Sequence, residues 1–238
     1  MTQPFAAKAI IAFSAALMLG MALGVVFSPP HAFIGQNLYD VYAEALLNGR
    51  WNLPVRELRV EGHYTPDGTG YLYHGLGPLL TRLPFAPFVE FPTTWLSGLS
   101  IWFWAMLGNA TWHLAFWLAF VQAGGEALKS RRLVALGMAL AVWFGAPGLI
   151  LVASGTLFNE AIAMAYALAG GFMLLVARMA FGLSDARRAL IPLAVLAGLM
   201  VHARPHLALG LYLGVGLVVL RFSSRAASPN GSGSALQA

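Results

Sequence analysis

Cysteine is absent from the 238 residues, and charge is scarce: Asp, Glu, Lys and Arg make up 10% of the chain against 59% hydrophobic residues. The first absence excludes disulfides, thiolate zinc sites and covalent haem attachment, and it leaves the redox compartment unmarked. The second excludes an ordinary water-soluble domain, in which roughly 25% of residues are charged. The fourteen Lys and Arg stand singly or in short groups, with no basic stripe interleaved with aromatics, so the net charge of +5 does not point to nucleic acid. No Asp-x-Asp pair is present. The spacing of the six histidines matches no metal motif either. The sequence therefore calls for no metal and no cofactor.

What the chain does have is long apolar runs. Windows of about 20 apolar residues, the length that crosses a hydrocarbon core roughly 30 Å thick, lie near Ala6–Phe27, Ile101–Val121, Leu133–Ala153 and Ala161–Phe181. Two shorter runs follow, Ala189–Val201 and Leu207–Leu220, on either side of His202-Ala203-Arg204-Pro205-His206. As one helix, Ala189 to Leu220 would be about 48 Å long and would lack a donor at Pro205, so two short helices in a hairpin are expected. Lys8 and the first run resemble a signal peptide only in outline. The run exceeds the 7–15 residues of such a core and has no small-x-small cleavage site, so it is read as a span.

Six spans with a cytoplasmic N-terminus leave nine of the fourteen cations inside and put seven of the nine acids outside, as the positive-inside rule requires of short loops. The expected fold is all-α, a polytopic transmembrane bundle of about six spans with a structured extracytoplasmic loop holding a short helix and a small hairpin. One membrane domain, 1–222, contains an outer loop of about 29–94, and residues 223–238 have the composition of a disordered tail. Both termini are placed in the cytoplasm, and the membrane expected is the bacterial inner one.

The polar segment from Asn37 to Phe88 carries five of the nine acids and is far longer than most turns between spans, so ligand handling is sought there. Leu38, Val41, Tyr42, Ala45 and Leu46 recur at helical spacing, with Asn37 as N-cap and Asn48-Gly49 as the stop. Asp40 and Glu44 share the polar face of that helix. Each reads either as a general base or as an ordinary first-turn or solvated acid, the former role of Asp40 competing with about 0.3–1 kcal/mol of helix-dipole stabilisation. Leu58–Tyr64 and Tyr71–His74 flank Thr65-Pro66-Asp67-Gly68-Thr69-Gly70, a hairpin signal that explains Asp67 by turn chemistry. Tyr71, Tyr73 and His74 can stack on sugar rings, or can simply sit at the interface. Gly77 to Phe85 reads as a surface helix interrupted by Arg82. Arg204, at the short turn between the last two spans, costs about 2.5 kcal/mol or more at membrane depth unless it is partnered, and phosphate suits its fork as well as headgroup snorkelling does. Glu160, at the start of the fourth run, is expected as its ion-pair partner or as a substrate ligand.

Taken together, Tyr39, Ala43, Leu46-Leu47 and Gly49, then Asp67-Gly68, Tyr71, Tyr73, Gly75-Leu76-Gly77-Pro78 and Leu83-Pro84-Phe85, resemble the first extracytoplasmic loop of C-type (GT-C) membrane glycosyltransferases of the protein mannosyltransferase and aminoarabinose transferase kind. Leu107-Gly108-Asn109-Ala110, Ala197-Gly198-Leu199 and Arg204-Pro205 extend the likeness to about Leu38–Leu220. The chain departs from the pattern at Gly35-Gln36, where the family usually carries its catalytic acid, and it has fewer spans. The resemblance implies transfer of a sugar from a polyprenyl-phosphate donor to an acceptor outside the membrane. Asp40 or Glu44 would then be the base, Arg204 and Arg82 the donor-phosphate ligands, and Tyr71, Tyr73, His74 and Glu160 the substrate contacts. The partners implied are a lipid-linked sugar and membrane lipids. The alternative is a non-catalytic or truncated polytopic scaffold or subunit that packs on a membrane-protein partner. A transporter fits less well, because the spans hold no acid–base relay and no second half repeats the first.

Overall fold

In hydrocarbon a backbone satisfies its own polar groups by coiling, and runs rich in Leu, Ala, Phe and Met coil readily. The computed structural model, which describes residues 3–27, 38–58, 62–72, 75–91, 94, 96–154 and 156–226, is accordingly dominated by helices. They are α1 (Phe5–Phe27), α2 (Leu38–Leu47), the single turn α3 (Val55–Leu58), α4 (Ser97–Gln122), α5 (Arg131–Trp143), α6 (Pro147–Ser154), α7 (Leu157–Ala180), α8 (Ala186–Ala203) and α9 (Pro205–Ala226), joined by two 3-10 turns at Gly77–Thr81 and Gly125–Ala127. Three stretches are long and apolar enough to cross a membrane: Phe5–Gly24, Arg131–Ser154 and Leu157–Ala180. The second joins α5 to α6 across a break at 144–146, where Pro147 starts a new helix. α4 has 26 residues, about 39 Å, and is long enough. Its four tryptophans, with Asn109 and His113, lower its hydropathy and keep it out of that set of three.

α7 sits at the centre, packed against α4, α6 and α8. It approaches α4 closely because small residues face large ones. A Cβ on Gly108 would meet the Tyr166 ring, and one on Gly170 would meet Thr111 and Trp112. The two helices run parallel, since Trp112 donates to the Tyr166 carbonyl at 3.2 Å while Ser97 and Glu160, at their starts, meet a common partner. α1 runs the other way. Its Ala7 end packs with Trp117, Ala135 and Ala139, and its Met18 lies 3.7 Å from the Asn109 amide. Asn109, fully buried, also accepts from Tyr166 Oη at 3.0 Å, so its carbonyl does not lie unpaired in the interior.

Between α8 and α9 the chain turns on Arg204, whose backbone is extended at φ −149°, and Pro205 opens α9 without an orphaned N–H. The two helices pack along each other. This is the expected hairpin, with longer arms: α8 begins at Ala186 and α9 reaches Ala226, four residues into the stretch that composition assigns to a disordered tail.

The polar segment has its own small core, in which Leu38, Tyr39, Tyr42, Ala45, Leu53, Leu58, Leu72, Leu79 and Phe91 gather with Leu96 and Leu157 from the helix starts. α2 is closed by a Schellman arrangement. Gly49 (φ 71°) donates to Leu46 O at 3.0 Å and Arg50 to Ala45 O at 2.8 Å. The three strands β1 (Leu53–Pro54), β2 (Gly62–Tyr64) and β3 (Thr69–Leu72) form an antiparallel sheet in the order β1-β3-β2. Register pairs His63 with Tyr71 and Tyr64 with Gly70. At the turn Gly68 adopts φ 79°, and Asp67 Oδ1 accepts from the Thr65 hydroxyl, from Thr69 Oγ1 at 3.0 Å and from the Thr69 amide at 3.4 Å. Those bonds hold the exposed Asp67 carboxyl below its ordinary pKa.

Candidate functional site

α2 begins against the ends of α4 and α7, and that placement puts Tyr39 and Asp40 inside the protein. Both are 0% exposed. From the 3-10 turn at Gly77–Thr81 the chain feeds Arg82 into the same space, where it is 1% exposed and lies between two carboxylates. Arg82 Nε donates to Asp40 Oδ1 at 2.9 Å, and its two Nη groups straddle Glu160, Nη1 on Oε1 and Nη2 on Oε2 at 3.2 Å. The remaining hydrogens go to the Pro78 carbonyl at 3.2 Å, Thr81 Oγ1 at 3.1 Å and Ser97 Oγ at 3.0 Å. A guanidinium has five N–H groups, and all are engaged. The second Asp40 oxygen accepts from the Leu96 amide at 3.3 Å. Tyr39 lies against the cation, its ring centroid 5.6 Å from Arg82 Cζ.

The electrostatics follow from burial. Loss of water pushes the Asp40 carboxyl up to about 6 against the pull of Arg82 and the Leu96 amide. Burial also draws Arg82 down while Asp40 holds it up, and a guanidinium so paired stays charged. The Tyr39 phenol is raised by burial, against the pull of Arg82 and then of Arg204. Tyr39 therefore feels two arginines. One is saturated. The other, Arg204, is half-buried, donates only Nη2 to the Phe158 carbonyl at 3.3 Å, and leaves Nε buried without an acceptor among the described residues.

A glycine-rich strap completes the site. Tyr39 Oη donates to the Gly75 carbonyl at 3.0 Å, and Gly75 lies so close to the end of α8 that a Cβ there would overlap the His202 carbonyl oxygen. Gly77 packs under Met164 in the same way. Gly75-Leu76-Gly77 thus joins α2 to the α8–α9 turn that carries Arg204.

These positions revise several sequence expectations. Glu160 pairs with Arg82, not with Arg204: the 3-10 turn brings Arg82 onto the Glu160 carboxylate, while Arg204 donates to the Phe158 carbonyl. Arg82 has no N–H left for a donor phosphate. Asp40 lies in the cluster with both oxygens occupied, whereas Glu44, one turn further along α2, is partly exposed. Tyr71 is 45% exposed on β3, paired with His63. Tyr73 and His74, like Asn37, lie outside the described residues. Among those described, no three His, Asp or Glu side chains converge as a metal would require. The Asp40–Arg82–Glu160 cluster was not legible in advance, since its members lie 42 and 78 residues apart and no local pattern links them. A hint existed in Arg82 itself, a single cation inside the apolar run Gly77–Phe88, where a charge needs a partner. Compared with known protein families, characterised proteins and solved structures, the chain matches none.

Proposed function

We propose that this is a six-span inner-membrane protein, with both termini cytoplasmic, that binds the phosphate of a polyprenyl-linked sugar at Arg204 and transfers the sugar outside the membrane in the manner of GT-C enzymes. The observation that carries the reading is Arg204: a cation in the turn between two apolar helices, half-buried near Tyr39, with an Nε unsatisfied among the described residues and a long bond from Nη2 to a carbonyl. Such a group gains more from an incoming phosphate than one already paired. Two features support the six-span topology: the alternation of helix direction from α1 to α4, and the excess of cations at the opposite end of the bundle from Arg204. In this reading Arg82 is no phosphate ligand. It fixes α2 through Asp40, and the base this reading needs is Asp40, once released from Arg82, or the partly exposed Glu44 one turn on.

Direct donor binding tests this. Losing a charged hydrogen bond of about 1.5–3 kcal/mol predicts roughly 10- to 150-fold weaker binding of a polyprenyl phosphate to Arg204→Ala. Equal binding by wild type and Arg204→Ala overturns the assignment. Donor binding should survive but transfer should slow in Asp40→Asn or Glu44→Gln; a donor that binds wild type and is never transferred points to the second reading, a non-catalytic scaffold. That reading has its own support. Asp40, Arg82 and Glu160 satisfy one another almost completely, as a structural strut does.

A further inference from the structure

A groove of about 430 Å³ opens between the turn that carries Arg82 and the first two turns of α4, walled by Leu80, Pro84 and Phe85 on one side and Leu99, Phe103 and Trp104 on the other. Its two hydroxyls are already used. Thr81 Oγ1 and Ser100 Oγ lie 2.7 Å apart, and Thr81 also donates to the Pro78 carbonyl. The indole N–H groups of Trp102 and Trp104, in the groove's wall, are buried without an acceptor among the described residues, and an occupant otherwise meets hydrocarbon.

The height of the groove is fixed by Arg82, which bridges Ser97 at the start of α4 and Glu160 at the start of α7. α7 is one of the stretches long and apolar enough to cross a membrane. The groove thus lies just inside the end of a span, at the depth of the upper methylenes of a lipid chain. The apolar surface continues outward from it, through Leu83 at 60% exposed and Phe88 at 82%. We propose that this groove is a binding site for one acyl chain of a membrane phospholipid, held between the Thr81–Phe88 turn and α4. The site does not depend on Arg204 or on any transfer activity.

Native mass spectrometry of the full chain in mild detergent, with dioleoyl phosphatidylethanolamine added, tests it. Wild type should retain one phospholipid. Leu99→Trp, which fills the groove from its wall, should lower the retained fraction about tenfold, the effect of excluding two methylenes. Leu80→Trp, at a position 43% exposed, should do the same if Leu99→Trp fails to fold. Leu209→Trp on the outer side of α9 should change nothing. Equal retention in wild type and both groove variants overturns the proposal, as does a wild type that retains no lipid. Displacement of the phospholipid by an equimolar polyprenyl phosphate assigns the groove to another lipid, and a groove variant that instead splits a dimer assigns it to a second copy; either result also overturns it.

Discussion

Arg82 is the residue on which the polar segment hangs. Removing one member of a buried ion cluster leaves the others charged and dry, which costs about 3–5 kcal/mol, whereas replacing the whole cluster with apolar residues of similar volume is often neutral. Arg82→Met should therefore destabilise strongly, and Arg82→Met combined with Asp40→Leu and Glu160→Met should recover most of the loss. Chemical denaturation in detergent reads both; a triple variant no better than the single one would show that the charges are needed for more than mutual neutralisation. Asp40 adds a pH signature. Its folded-state pKa is raised to about 6, above the unfolded value of about 3.9, so the folded state holds the extra proton between those limits. Its stabilising contribution is full below about pH 4 and is lost as pH rises through 6, by on the order of 2–3 kcal/mol. Melting temperature against pH should thus slope downward over pH 4–6 for wild type relative to Asp40→Asn, whose own curve lacks this component. Parallel curves would place Asp40 in a wetter setting. None of this could be read from Asp40 in sequence, where it is one first-turn acid among many; what decides its chemistry is its burial, opposed by an arginine 42 residues away.

Elements were far more legible than pairings, because their signals are local. The helical spacing from Leu38 and the Asn48-Gly49 stop appear as α2 with its left-handed Gly49, and Pro-Asp-Gly appears as the turn between β2 and β3. Pro205 marks the start of α9. The Gly75-Leu76-Gly77 strap was noticed only as part of a resemblance, since nothing local says that a glycine will face the carbonyl of a residue 127 positions later. The structure gives it a steric reason. A Cβ at Gly75 collides with backbone at His202, which cannot rotate away, so Gly75→Ala should displace the α8–α9 turn at a cost of about 1–3 kcal/mol. Gly124→Ala, at φ 78° with open space around it, should cost only the left-handed strain of about 1–2 kcal/mol and leave that turn unmoved. A spin label at Leu207 separates the two effects: Gly75→Ala should change its mobility and Gly124→Ala should not. Equal spectra for all three proteins would mean that the strap gives way and the helices do not.

At the scale of the molecule the question is which side of the membrane each end of the bundle faces. α4 and α7 start at the Arg82 cluster and run parallel, α1 runs against them, and the α8–α9 turn meets the strap at the same end. That end carries α2, the sheet and Arg204. The opposite end carries the 125–130 connection and the Phe181–Asp185 connection, flanked by Lys129, Arg131, Arg132, Arg178, Arg187 and Arg188. Short loops rich in Lys and Arg stay in the cytoplasm, so the cluster end is expected outside. The chain has no cysteine, which makes the test clean: every label reports the residue introduced. Thr69→Cys, in the sheet at the cluster end, should react with a membrane-impermeant maleimide added to intact cells. Ser130→Cys, at the other end, should react only after the membrane is opened. Labelling of Ser130→Cys in intact cells reverses the orientation. Labelling of both means that α4 does not cross, and the tryptophans, Asn109 and His113 that lower its hydropathy would then be the reason.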